Sequence, residues 1–161
     1  MINKIKLSAA FTIALVSLTF AQGNTYGDIS FEKATNISGK QRMLSQRIAK
    51  VFLIKQAGAS GVELNKELNS SIQLFQRNLS ILESNAKGAS SKIKASIKNE
   101  KSQWELFKNK LTSSNKPSTM QVINMSQDLL KKAHILVLAI EEESKYSKEF
   151  SNDNSNEQIS K

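Results

Sequence analysis

The fold is decided by residues 36–50, which read NISGKQRMLSQRIAK. At about 100° per residue, a helix through this stretch carries an apolar stripe and, roughly 140° away, a second stripe that is small and polar. The apolar stripe predicts the side that faces a core, and it consists of Ile37, Leu44, Ile48, Val51 and Phe52. The polar stripe consists of Thr35, Ser38, Arg42, Ser45 with Gln46, Ala49, Leu53 and Gln56.

The polar stripe differs from an ordinary solvated helix face, which in this chain is rich in Lys and Glu. Its short side chains allow a second helix to approach closely, and they leave the Arg42 guanidinium inside the resulting seam. A guanidinium presents a planar fork of donors that matches trigonal oxyanions such as nitrate or a carboxylate. Arg42 is therefore the first candidate for a binding residue, and the alternative is an ordinary surface arginine.

The same residues carry a family resemblance. Residues 39–47, GKQRMLSQR, resemble the signature of the periplasmic sensor domain shared by type IV pilus chemotaxis transducers (PilJ type) and nitrate/nitrite-sensing histidine kinases (NarX type). In the kinases the pattern shortens to Arg-Met-x-Ser-x-Arg, which Arg42, Met43, Ser45 and Arg47 also fit. The resemblance covers about fifteen residues, and the remaining chain matches it in helix pattern only.

The resemblance implies a dimeric bundle whose first helices meet at a two-fold axis and bind a small anion there. Carried over from the nitrate sensors, the ligand contacts are Arg42 and Gly39, and Ser45 and Gln46 flank them as second-rank ligand-binding candidates. Two facing Arg42 side chains would repel each other unless an anion lay between them. The expected dimer contacts are Thr35, Ser38, Ala49 and Leu53.

Start and stop signals divide the chain into a signal peptide, one domain and a tail. Residues 1–21 read as a secretory signal, with Lys4 and Lys6 before an apolar run and a cleavage site after Ala21. The alternative is a retained single membrane anchor, although the apolar run is short for a span of about 20 residues. The expected domain covers residues 28–148, and residues 149–161 form a polar tail without regular structure.

Four amphipathic helices are expected in the domain, and they make the fold class all-α. The first helix covers residues 30–56, and Gly58 with Gly61 ends it. Capping-box spacing at Ser60 to Glu63 and at Ser118 to Gln121 marks the starts of the second and fourth helices. The third covers about residues 90–111, and the fourth ends near Lys148. Short connections between helices of similar length favour an antiparallel up-down-up-down four-helix bundle.

Composition limits the chemistry. The chain has no cysteine, which excludes disulfides, thiolate metal sites and covalent haem attachment. His134 is the only histidine, so a b-type haem held by His and Met has no second cue, and a packed histidine is the simpler interpretation. No nucleophile elbow, phosphate loop or Glu-x-x-His pair occurs, so we expect no enzyme activity, metal or cofactor.

The net charge of +9 becomes about +7 without the signal segment. Such a charge suggests nucleic acid in a cytosolic protein. In an exported protein it suggests anionic ligands, a membrane surface or cell-envelope polymers, and solvation of an ordinary helical surface is the simpler interpretation. Taken with the signal segment, the family resemblance implies a periplasmic or secreted sensor module that binds a small anion as a homodimer, contacts no nucleic acid and signals through a partner. The alternative is a periplasmic interaction or chaperone-like scaffold with no small-molecule ligand.

Overall fold

A computed structural model describes the backbone of residues 25–159 and the side chains as far as Glu149. Two short strands, β1 (Thr25–Tyr26) and β2 (Ile29–Ser30), precede four helices, which are α1 (Phe31–Gln56), α2 (Val62–Asn85), α3 (Ser91–Thr112) and α4 (Thr119–Ile159). The helices pack together as a four-helix bundle, which confirms the all-α fold class. The predicted signal peptide, residues 1–21, lies outside the described residues.

Hydroxyl caps begin α1 and α3. Ser30 Oγ accepts from the backbone N–H of Lys33 at 3.1 Å, and Ser90 Oγ accepts from that of Ile93 at 3.4 Å. Each bond satisfies one of the backbone N–H groups that a helix start leaves without an intrahelical partner. Both starts therefore lie within one residue of the predicted positions.

Only one of the two predicted capping boxes forms. Before α4, the N–H of Gln121 donates to Ser118 Oγ at 3.2 Å, and the Gln121 side chain accepts from the N–H of Ser118 at 2.9 Å. Before α2, the predicted box at Ser60 is wrong, because the cap residue is Gly61 and it makes no side-chain bond. The chain enters α2 one residue later than the box requires.

Side-chain hydrogen bonds fix the direction of α1 against α4. Three side chains of α1 donate to backbone carbonyls of α4 or its preceding loop: Ser38 to Ala133, Gln46 to Ser126, and Gln56 to Pro117. The residue number of the acceptor falls as that of the donor rises. These three partners show that the two helices run in opposite directions. The centre of the bundle holds Phe75 of α2 stacked on Trp104 of α3, with ring centroids 4.2 Å apart.

A glutamate lies inside this core. The side chain of Glu100 is fully buried, and neither carboxyl oxygen has a hydrogen-bond partner among the described residues. Burial raises the pKa of this carboxyl from its ordinary value of 4.5 to about 8, because the charged form loses its hydration. The carboxyl is thus neutral at pH 7.

A small hairpin closes one end of the bundle. β1 and β2 pair as antiparallel strands around Gly27 and Asp28. The buried Tyr26 hydroxyl donates to the carbonyl of Leu82 at 2.9 Å, and the N–H of Asp28 donates to Asn85 Oδ1 at 2.8 Å. The hairpin therefore ties the entry of α1 to the end of α2. The sequence analysis did not predict it.

The fourth helix is longer than expected. Its predicted end near Lys148 is wrong, and the backbone of residues 149–159, predicted as an irregular tail, continues the helix to Ile159. No proline or glycine occurs after Pro117, so the sequence contains no strong stop signal. Within residues 25–159, no helix has the length and apolar character that crossing a membrane requires.

Candidate functional site

The Arg42 side chain lies at the outer edge of the contact between α1 and α4. It is half-buried, and its Nη1 lies 3.1 Å from Nδ1 of His134 on α4. A guanidinium only donates, so the imidazole accepts at Nδ1 and carries its proton on Nε2 in the neutral form. The bond joins residues 92 positions apart and fixes the guanidinium on one side.

The remaining guanidinium N–H groups are the hydrogen-bond donors that the contact with His134 leaves unused. No acidic side chain forms an ion pair with Arg42 among the residues that the structure describes. A guanidinium has five N–H donors, and the contact with His134 engages one of them. The side chain thus keeps its full positive charge and several donors for an anion.

Gly39 provides open space one turn before Arg42. A Cβ atom placed on this glycine would meet no heavy atom within 4 Å, so nothing in the described chain occupies the surface beside it. The helix could accept a side chain here, and packing within the chain does not explain the glycine. Its backbone is accessible to a ligand or to a second chain.

The two second-rank candidates occupy different environments. Ser45 is fully buried and its hydroxyl donates to the Arg42 carbonyl of the preceding turn at 2.8 Å, so it faces away from any surface ligand. Gln46 is exposed, and its Nε2 donates to the Ser126 carbonyl at 3.2 Å. Of the four candidates, Gly39, Arg42 and Gln46 thus reach the surface of α1, whereas Ser45 lies behind them.

The polar stripe of α1 faces α4 of the same chain. Ser38 is fully buried with its hydroxyl directed at Ala133, and Ala49 is 5% exposed in the core. Both side chains are enclosed within the bundle of their own chain, and their expected role as contacts between two chains stays a prediction. Thr35 and Leu53 are partly exposed at the rim. Helix periodicity identified a close-packing stripe but could not say which helix covers it.

His134 and Arg47 complete this picture. His134, interpreted from the sequence as a packed histidine, is exposed and holds Arg42. Arg47 projects to another side of α1, where its Nε lies 3.3 Å from a carboxyl oxygen of Glu67 on α2. That ion pair separates Arg47 from Arg42, although both belong to the same motif.

The described residues also bear on metal binding. Across residues 25–149, no three His, Asp or Glu side chains form a group that could hold a metal ion. The arrangement at Arg42 offers hydrogen-bond donors and positive charge, which suit an oxyanion better than a cation.

Comparison with known proteins identifies the family of the chain. A family model described as PilJ, type IV pili methyl-accepting chemotaxis transducer N-term, matches residues 31–136. The match begins at the first residue of α1 and includes both Arg42 and His134. No curated protein and no solved structure shows a significant match to the chain. The similarity to the nitrate-sensing kinases thus stays an expectation from the motif.

Proposed function

The chain belongs to the PilJ family of type IV pili methyl-accepting chemotaxis transducer N-terminal domains, and from this membership we propose that it is an exported sensor domain for a small oxyanion. Domains of this family are non-enzymatic and typically periplasmic sensors. The ligand class is a trigonal or carboxylate anion of nitrate size. The proposed contacts are the guanidinium of Arg42, the open backbone at Gly39 and the amide of Gln46.

The observation that carries this proposal is the state of Arg42. Its guanidinium is held in place by His134, half-buried, and without an acidic partner among the described residues. The chain has 14 acidic residues, and an ordinary surface arginine would pair with one of them and not with a histidine. Preorganised donors reduce the ordering cost of binding, so this geometry favours anion capture.

A homodimer would complete the site, and its contact surface must lie outside the stripe that α4 covers. The outer edge of α1 carries Thr35, Gly39, Arg42, Gln46 and Leu53 at three-, four- and seven-residue spacing. A two-fold pair along this outer edge would bring two Arg42 side chains together, and their repulsion would make association depend on a bound anion. Ligand binding would then shift the population of dimers.

The output of such a sensor needs a signalling partner. Family membership indicates a transducer-type domain, and the described residues contain no membrane-spanning helix. We propose that a membrane or periplasmic signalling protein recognises the anion-bound dimer.

A second candidate is an interaction scaffold without a small-molecule ligand. Large apolar side chains lie exposed on α1 and α4, with Met43 57%, Ile135 47% and Leu138 49% accessible. Apolar side chains at the surface fit a protein partner, although scattered ones are common on any protein. The two functions differ in one measurable respect, because only the sensor is stabilised by a small anion.

The test is a thermal-unfolding screen of the mature domain with nitrate, nitrite and small carboxylates at millimolar concentration. Chloride at equal ionic strength is the reference. An anion at ten times its Kd should stabilise the native state by about 1.4 kcal/mol and raise Tm by roughly 3–6 °C. Arg42→Ala should abolish this shift, because it removes the anchored donors.

Arg47→Ala is the matched control, since it removes the same charge from another side of the same helix. We expect it to retain the anion response. If no anion raises Tm, or if Arg42→Ala responds like the unmodified protein, the sensor proposal fails and the scaffold takes its place.

A further inference from the structure

A groove of about 410 Å³ opens between α2 and α3. α1 packs against α2 and α4, and α3 packs against α4, so this groove lies on the side of the bundle opposite the α1–α4 edge that carries Arg42. Its apolar floor includes Ile97 and Ala86, which are 3% and 5% exposed. The volume lies within the range of about 300–1,000 Å³ that small-molecule sites occupy.

Lysines form the rim of the groove. Lys94, Lys98 and Lys101 follow one another along α3 at four- and three-residue spacing, and Lys87 comes from the turn after α2. Lys101 is neutralised, because its Nζ lies 2.7 and 2.8 Å from the two carboxyl oxygens of Glu83. The other three form no ion pair within the described part of the chain, so the rim keeps three positive charges.

The combination of floor and rim selects the class of ligand. An apolar floor attracts a hydrocarbon or aromatic body, and the rim ammonium groups attract an anionic head. The lysine stems extend the apolar surface while their charged ends stay in water. Inorganic anions would leave the floor uncovered, and neutral apolar molecules would leave the rim unused.

The length of the rim selects the size of ligand. Lys94 and Lys101 are seven residues apart on one helix, which corresponds to about 10 Å at 1.5 Å per residue. A polyanion or a long acidic helix would need a basic track several times longer. A molecule with one head group and a body of roughly eight to ten carbons spans this distance.

We propose that the groove between α2 and α3 binds a small anionic amphiphile, with its apolar body on Ile97 and Ala86 and its carboxylate, sulfonate or phosphate near Lys94 and Lys98. This site is independent of the oxyanion site at Arg42, because different helices build it. The chain would thus hold two anion sites of different polarity, one for small hydrophilic anions and one for amphiphiles.

Fluorescence of 1-anilinonaphthalene-8-sulfonate tests the groove, because this anionic aromatic probe brightens in apolar surroundings. The unmodified protein should bind it saturably, and octanoate should displace it while acetate at equal concentration does not. The variant Lys94→Glu/Lys98→Glu should weaken binding at least tenfold. Lys94→Gln/Lys98→Gln, measured in parallel, removes the charge without adding repulsion and should weaken it at least threefold.

The control Lys66→Glu/Lys110→Glu changes the net charge as much as the groove reversal but lies outside the groove. It should change affinity less than twofold, as should Arg42→Ala. Near-ultraviolet circular dichroism of the buried Trp104 reports whether each variant is folded. Equal weakening by groove and control reversals, unchanged binding in the folded glutamine variant, or equal displacement by acetate would each overturn the proposal.

Discussion

At the scale of single residues, Glu100 couples the fold to pH. Its carboxyl is protonated in the native state up to about pH 8, whereas an unfolded glutamate loses its proton near pH 4.5. The native state therefore binds one more proton between these values, and the free energy of unfolding falls as pH rises through that window. Below pH 4.5 this contribution is fully present, and above pH 8 it is lost.

Replacing Glu100 with Gln should remove that dependence, since the amide is neutral at every pH. At pH 8 we expect the variant to be more stable than the unmodified protein by on the order of 2–4 kcal/mol. Urea unfolding at pH 5 and pH 8 gives the comparison, and Glu105→Gln on the same helix is the control. A Glu100→Gln variant that keeps the full decline between these pH values would contradict a buried neutral carboxyl.

Gly39 is a second residue that allows a test, because its effect on stability can be separated from its effect on anion binding. It lies in the interior of α1, where glycine costs up to about 1 kcal/mol relative to alanine, and a Cβ would meet nothing within 4 Å. Gly39→Ala should thus raise the free energy of unfolding by about 0.5–1 kcal/mol. If the backbone here contacts an anion, the same change should reduce the anion-induced rise in Tm. A variant with greater stability and a full anion response would remove Gly39 from the site.

At the scale of elements, the hairpin of β1 and β2 depends on Gly27. Its φ of 61° is in the left-handed region, and an added Cβ would lie 2.5 Å from the Asn85 carbonyl oxygen. Gly27→Ala should therefore lower the free energy of unfolding by about 2 kcal/mol or more in urea titrations. Gly58→Ala is the control, because the φ of Gly58 is also positive, at 99°, but the space around this glycine is open. Equal losses in both variants would mean that the contact with Asn85 contributes nothing.

The elements also show how far the sequence could predict the structure. Periodicity identifies which side of each helix is buried, and it placed Leu44 and Ile48 of α1 in the core correctly. It cannot identify the neighbour that covers a stripe, and for this reason the seam of α1 was assigned to a second chain. The same limit hid the bond from Arg42 to His134. Tertiary contacts of this kind leave no periodic signal in the sequence.

At the scale of the whole molecule, association can be tested at the outer edge of α1. Gly39→Arg should shift the anion-bound protein from dimer to monomer in sedimentation, because it adds bulk and positive charge where two chains would meet. The bundle should stay folded, since the position is open. Gly61→Arg adds the same side chain at another open glycine and should leave the dimer intact. A monomeric unmodified protein at high concentration, with and without anions, would exclude the two-fold arrangement.

The opposed directions of α1 and α4 have a mechanical consequence. The bonds from Ser38, Gln46 and Gln56 reach successively earlier residues of α4 and its preceding loop, so the start of α1 lies beside the part of α4 near residue 141. A force applied between those two points would peel the helices apart as a zipper opens, and it would load one row of contacts at a time. The bond at Ser38 would break first and the bond at Gln56 last. The domain thus has a low resistance to tension between these two points. Sliding one helix along the other loads the same contacts at the same time, and they resist it together.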